Sequence, residues 1–272
     1  MRTERLRGQE GSTQTESVST DEVVSRGDGP PLILLPGIQG RWEWMEPAVQ
    51  ALSRHFRVLT FSLHQVNGDD FFGGWMDRID RLIDVAGQPG ATLVGVSFGG
   101  IIAVRYAARQ PKRVNHLVLV SSPGPGWRLD EQSAAHVRRP VLRFPLFAAR
   151  AARRLAPEAK AALPDWGHRG SFVLQHSLRT LRSPARPRLM AVWVREWQAI
   201  DLTEDVKRIV APTLVITGEP ELDRVVPVNS SLEYVDLIRG SRHRVLERTG
   251  HLGILLKPDA FATMVSEFIA TN

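Results

Sequence analysis

The chain has 272 residues, 43% of them hydrophobic and 24% charged, a composition that excludes wholesale disorder and suits one large domain with an insertion. It has no cysteine, which excludes disulfides, thiolate metal sites and a cysteine nucleophile, and no run of about 18 apolar residues able to span a bilayer. The N-terminus carries no apolar leader, so a cytoplasmic protein is expected; its net charge of +6 is almost all arginine, since only Lys112, Lys160, Lys207 and Lys257 are lysines.

Residues 1–27 are polar and follow neither a period of 2 nor one of 3.6, so they read as a flexible N-terminal segment with at most a weak strand or hairpin around 16–27. Then the rhythm changes. "PPLILLPG" (30–37) predicts a strand buried on both faces, and "WEWMEPAVQALSRHF" (42–56) has helical spacing. A strand at 57–63, a helix over 71–87, a strand at 91–96, a helix over 98–110 and a strand at 114–122 continue the alternation. Apolar strands separated by helices call for right-handed crossovers, hence an α/β fold with a mostly parallel sheet covered by helices on both faces.

After Pro123 the pattern breaks: residues 127–199 hold no convincing strand, only arginine-studded apolar helices, and are expected to form a helical cap insertion. A strand at 211–219, a helix over 229–240, a strand at 243–250 and a helix over 258–270 follow, so the core is expected to comprise 28–126 and 200–272. There are no internal repeats.

Gly95-Val96-Ser97-Phe98-Gly99 fits G-x-S-x-G between a predicted strand and a predicted helix, the context in which that motif forms a nucleophile elbow. In such a turn the serine adopts a strained backbone, and a Cβ on Gly95 or Gly99 is expected to clash because the two lie close together. Ser97 would stand clear of the carboxyl edge of the sheet, ready for acyl transfer. No G-x-G-x-x-G or GK[ST] is present, which argues against a dinucleotide or P-loop site, and no cluster has metal-ligand spacing.

A serine nucleophile needs a base and an orienting acid. Of eight histidines, His251 falls in "ERTGHLGILLKPDAF", after the last predicted strand and before the last helix, and so at the same sheet edge as Ser97. His116, inside a strand, reads as filler. The acid is sought in "GEPELDRVVP" (218–227), where Glu219, Glu221 and Asp223 compete; Asp223 is chosen because Asp-Arg-Val-Val-Pro closes the loop before the next helix, with Glu221 in reserve.

With Ser97, Asp223 and His251 in nucleophile–acid–base order at their strand ends, residues 28–272 resemble the α/β-hydrolase superfamily. The resemblance implies an oxyanion hole made by the backbone N–H groups of Phe98 and Ile38, with Gln39 as a substitute for Ile38. Two loops depart from the family's usual pattern. Pro36 stands where a histidine is common in "LLPGIQG", and "SLHQVNGDD" is this chain's own, with His64 and Asp70 as candidates to line a pocket mouth.

Serine argues against the aspartate-dependent haloalkane dehalogenase and epoxide hydrolase chemistries. The expectation is a cytoplasmic carboxylic-ester hydrolase acting on a small-molecule ester through an acyl-enzyme, with no cofactor, no metal and no nucleic-acid partner. Lactonase, thioesterase, C–C bond hydrolase, aminopeptidase and acyltransferase activities share the same triad, and a non-catalytic binder of the same fold is the alternative from another class. Residues 127–199 hold fourteen Lys and Arg against five Asp and Glu, a basic cap suited to anionic substrates or surfaces if those arginines are more than the solvated faces of helices. Leu142, Phe144, Leu146, Phe147, Trp193 and Trp197 are its candidates for pocket or core contacts.

Overall fold

A computed structural model describes residues 23–64 and 71–272, the Gln132 side chain excepted. Strands β1 (Val23–Arg26), β2 (Pro31–Leu35), β3 (Arg57–Phe61), β4 (Ala91–Val96), β5 (Val114–Val120), β6 (Thr213–Thr217) and β7 (Arg242–Val245) form one sheet in the order β1-β3-β2-β4-β5-β6-β7. Every pairing is parallel except β1 with β3, where Val23 faces Phe61 and Arg26 faces Val58. Among the described residues the sheet starts with β1, which falls within 16–27, where the sequence suggests a weak strand or hairpin.

Period-two alternation sends the strand residues into two cores. Ile33, Leu35, Leu59, Leu93, Leu117 and Val215 face α2 (Gly73–Ala86), α3 (Phe98–Arg109) and α8 (Thr203–Lys207). Leu32, Leu34, Val58, Val94, Val118 and Leu214 face α1 (Glu46–Leu52) and α11 (Pro258–Ala270). Burying one such side chain contributes about 1.5–3 kcal/mol, which is why the strands read as unbroken apolar runs. The remaining core helices are α9 (Val228–Leu237) and α10 (Gly253–Leu256).

The expected helix over 42–56 is shorter. A 3-10 turn occupies Trp42–Met45, and α1 begins at Glu46 with Pro47 in its first turn, where a missing N–H costs nothing. The last predicted strand also stops early, at Val245: Arg248 takes a left-handed φ of 58° and turns the chain out of the sheet.

Between β5 and β6 the chain forms α4 (Glu131–Arg138), α5 (Pro140–Ala162), α6 (Trp166–Arg182) and α7 (Pro187–Gln198). Asp130 and Asp165 cap α4 and α6 by accepting the amides of Ser133 (2.6 Å) and His168 (3.0 Å). α7 buries Met190, Ala191, Trp193 and Trp197, while α6 rests on the Trp42–Met45 turn.

The chain passes from β2 to β3 on one side and returns to β4 on the other. The loops after β2 and β4 thus meet at a topological switch point, on the carboxyl edge where open α/β sheets bind ligands.

Candidate active site

Ser97 joins β4 to α3 with φ 52° and ψ −118°, a conformation that costs an L-residue about 1–3 kcal/mol. It is held there from both sides: its amide donates to Val120 O (2.8 Å) and its carbonyl accepts from Gly100 N (2.9 Å). The glycines explain the tightness, though not quite as the motif suggests. A Cβ on Gly95 would lie 2.6 Å from Gly99 O and 2.5 Å from Gly100 Cα, but one on Gly99 would strike the carbonyls of Leu35 and Pro36 instead of Gly95. Gly99 is what lets the loop after β2 approach the elbow.

In that loop Gly40 N donates to Gly37 O (2.8 Å), making Ile38 and Gln39 the central residues of a tight turn. The turn lies beside the serine, because a Cβ on Gly37 would come within 3.5 Å of Ser97 Cβ. Phe98 opens α3, so its amide has no partner within the helix. Pro36 is buried and leaves the turn intact.

Of the three candidate acids, only Asp223 meets the histidine. Its Oδ2 lies 3.5 Å from His251 Nδ1, and its Oδ1 accepts the amides of Val225 (3.1 Å) and Val226 (3.0 Å). At that separation the two form an ion pair only when the imidazole is protonated, and Nδ1 is buried with no hydrogen-bond partner. Burial acts to raise the Asp223 pKa, but the His251 charge and the two amides outweigh it and hold the carboxyl below its ordinary range. Burial acts to lower His251, but the carboxylates of Asp223 and Glu158 carry it above the usual value. No hydrogen bond joins Ser97 Oγ to the imidazole among the described residues.

Glu221 is exposed. Glu219 braces the histidine loop: its Oε1 accepts Arg248 N (2.6 Å), its amide donates to Thr249 O (2.8 Å) and its carbonyl accepts Asp223 N (3.0 Å). Glu158, which the motifs of the sequence do not single out, reaches the other side of that loop from α5; its one signal in the sequence is that it is the single acidic residue of that helix.

Trp193 and Trp197 are buried and with Trp75 pack around the Phe98 ring, while Trp127 lies on the far side against Trp197. The Phe98 and Trp193 rings stack at 6.2 Å, and those of Trp127 and Trp197 at 5.1 Å. Trp193 also lies against the turn after β2, where a Cβ on Gly40 would sit 2.7 Å from its ring. Leu142 and Leu146 do not join this core: they are exposed on α5, while Phe144 and Phe147 stack on one another at 6.1 Å. A cleft of about 450 Å³ opens beside Asp223, walled by Trp127, Arg128, Arg154, Arg224 and Val228. Ser97 and His251 do not line it.

His64 is half-buried, and burial with Arg186 and Arg78 keeps its pKa below the usual value. Asp70 lies outside the described residues. His116 sits within 3.5 Å of Thr92 Oγ1 and packs edge-on against Phe268, in the sheet and away from the strand ends. Among the described residues, no group of His, Asp and Glu is arranged to hold a metal, and no helix is long and apolar enough to cross a membrane.

A sequence model of the alpha/beta hydrolase fold matches residues 30–258. The chain belongs to the alpha/beta hydrolase family. Among this hydrolase's relatives, a 2-hydroxy-6-oxo-2,4-heptadienoate hydrolase of Pseudomonas putida is 28% identical over 266 residues, covering 90% of this chain and 91% of that one. A pimeloyl-[acyl-carrier protein] methyl ester esterase of Serratia marcescens is 27% identical over 243 residues, covering 82% and 88%. The hydrolase also matches the structure of an esterase from Exiguobacterium antarcticum with a TM-score of 0.74 at 19% identity, over 91% of this chain and 94% of that one, a likeness of fold alone.

Proposed function

We propose that this hydrolase cleaves a carboxylic ester through an acyl-enzyme on Ser97. The reading rests on one observation above the others: a serine held at φ 52° beside the turn after β2, at the sheet edge that also carries His251 and Asp223. A strained residue at a switch point is a cost that nucleophilic chemistry accounts for and a passive turn does not.

In this mechanism His251 takes the Ser97 Oγ proton as Oγ attacks the ester carbonyl carbon. The amides of Phe98 and Ile38 hold the oxyanion of the tetrahedral intermediate, each contributing about 3 kcal/mol. The intermediate collapses, the C–O bond breaks, and His251 gives its proton to the departing alkoxide. Water, deprotonated by the same imidazole, then attacks the acyl-enzyme and releases the acid and free Ser97. Asp223 holds the ring and offsets the imidazolium charge. The arginines of residues 127–199 draw anionic esters toward the cap.

The similarity to a 2-hydroxy-6-oxo-2,4-heptadienoate hydrolase supports a second reading, hydrolysis of a carbon–carbon bond by the same residues. One comparison separates the two. A fluorophosphonate probe is expected to modify wild type stoichiometrically and Ser97→Ala not at all. Turnover of 4-nitrophenyl acetate and butyrate but not of 2-hydroxy-6-oxo-2,4-heptadienoate supports the esterase; the reverse supports the second reading. Absence of both labelling and turnover defeats both readings.

A further inference from the structure

Glu158 is the one acidic residue of α5 and is fully buried. Its Oε1 accepts two amides, Gly250 N and Leu252 N, each at 2.7 Å, and those amides flank His251. Its Oε2 is buried with no hydrogen-bond partner. Burying a half-satisfied carboxylate is costly, and a plain tie between cap and core does not require one. Here the two charge-assisted bonds fall on the loop of the candidate base, opposite the brace that Glu219 supplies.

We propose that Glu158 is a positioning residue of the active site: α5 grips the backbone on both sides of His251, so the imidazole keeps its place beside Asp223 only while the cap is seated. This rests on the reading of His251 as the general base. The charged groups facing His251 are Asp223 from the loop after β6 and Glu158 from α5, and those facing Glu158 are His251 and Asp223. Burial lifts the Glu158 pKa to about 7, against the pull of the two amides and His251. Its negative charge in turn raises His251.

The test pairs Glu158→Ala with Glu158→Gln, reading 4-nitrophenyl acetate hydrolysis across pH and the titration of His251 by 15N-imidazole NMR, with His251→Gln to assign the resonance. Glu158→Ala is expected to lower kcat about ten- to a hundredfold with KM almost unchanged. Glu158→Gln keeps an oxygen for both amides and is expected to restore most of kcat. In Glu158→Gln the acidic limb of kcat/KM and the His251 titration both move to lower pH. An unchanged kcat in Glu158→Ala, or a lost Tm with the wild-type pH profile and an unmoved His251 titration, overturns the proposal. If wild type fails to label with fluorophosphonate the hydrolase reading falls, and the NMR titration still decides whether Glu158 acts on His251.

A separate observation concerns the outer face of α6. Trp166, Val173, Leu174, Leu178 and Leu181 are 84%, 58%, 61%, 41% and 76% exposed, and at helical spacing they share an arc of about 140°. The opposite face holds the helix on the core, where His176 meets Trp44 edge-on at 5.7 Å and Arg179 pairs with Glu46 at 3.1 Å. Arg182 borders one edge of the stripe and Arg169 the other, its guanidinium over the Trp166 ring and donating to the carbonyls of Lys160, Leu163 and Pro164, on a segment (127–199) with a surplus of nine positive charges. Two such segments repel one another, whereas an anionic bilayer matches both the apolar stripe and its rim.

We infer that α6 docks flat on an anionic lipid surface. Co-sedimentation with phosphatidylcholine vesicles containing phosphatidylglycerol is expected at low salt, weakening as salt rises, and is expected to fall at least about tenfold for Leu174→Glu combined with Leu181→Glu. Labelling of Ser97 should be the same in both proteins. Equal pelleting of variant and wild type, no preference over pure phosphatidylcholine, or a dimer in light scattering that the double variant abolishes would each overturn the inference.

Discussion

Asp223 places one oxygen 3.5 Å from His251 Nδ1 and gives the other to the amides of Val225 and Val226. The carboxylate is thereby fixed by its own loop where it faces the imidazole. Asp223→Asn is expected to reduce kcat/KM about a thousand- to ten-thousandfold, because the amide no longer stabilises the imidazolium or selects its tautomer. Glu221→Gln, altering an exposed side chain, should stay within about twofold of wild type. Ester hydrolysis by the two variants decides the acid, and the larger loss in Glu221→Gln would reverse the assignment.

The positive φ of Ser97 carries a stability cost. Ser97→Gly removes the Cβ that makes φ 52° costly and is expected to gain about 1 kcal/mol over Ser97→Ala, with both variants inactive. Thermal unfolding measures the difference. A glycine variant less stable than the alanine variant would show that the elbow is not strained.

Trp193 stacks on Phe98 and presses on the turn after β2. Trp193→Ala should cost about 3 kcal/mol of stability and shift preference toward longer acyl chains, as the wall over the elbow is removed. Trp193→Phe should lose less of both. Denaturant melts and kcat/KM over a series of 4-nitrophenyl esters report the two effects.

Glu158's own contribution to stability should fall as pH rises from 4.5 toward 7, against His64, His116, His136, His176 and His243, whose depressed values make stability rise with pH up to 6.5. Over that interval the folded chain keeps on Glu158 a proton that the unfolded chain has released, so this group's contribution is complete below 4.5 and lost through about 7. His251, raised above 6.5, adds a decline in the same direction at higher pH. Asp223 acts oppositely, its contribution being lost as pH falls below 3.8 through its depressed folded value. The stability of wild type relative to Glu158→Gln should therefore fall across this range, measured by melting both proteins at each pH; parallel curves would remove Glu158 as a contributor.

The basic cap should make anionic esters salt-sensitive. Raising ionic strength from about 0.01 M to 0.5 M shortens the screening length several-fold, so kcat/KM for a succinate half-ester should drop while that for a neutral ester of similar size holds. Equal salt responses would leave the arginines as solvated surface.

Much of the core was legible because its signals are local. Both faces of β2 are buried, so Leu32 to Leu35 form an unbroken apolar run, and the glycines of 95–99 mark a turn whose crowding no larger residue survives. Such signals, with chain order, single out Ser97 and His251 as candidates. The ends of elements were less clear: Arg248 leaves β7 through a left-handed turn that no residue type announces, and the apolar spacing of 42–45 does not distinguish a 3-10 turn from the first turn of a helix.

The cap shows the limit most plainly. Its helices were evident from their period, but period does not say what lies opposite a face, and Leu142 and Trp193 carry the same apolar signal although one is solvated and the other buried. The choice among Glu219, Glu221 and Asp223 has the same character, since three acids within five residues differ only in where the loop points each one. By itself the sequence determined the alternation of strands and helices and the glycine-flanked turn around Ser97, which are encoded in neighbouring residues, and it nominated Asp223 and His251 by chain order. Only the tertiary structure decided that Asp223 meets His251, that Glu219 braces the loop and that Glu158 crosses from the cap to grip it. Those contacts join residues up to 94 positions apart, and their free energy depends on distance and burial that no local pattern records.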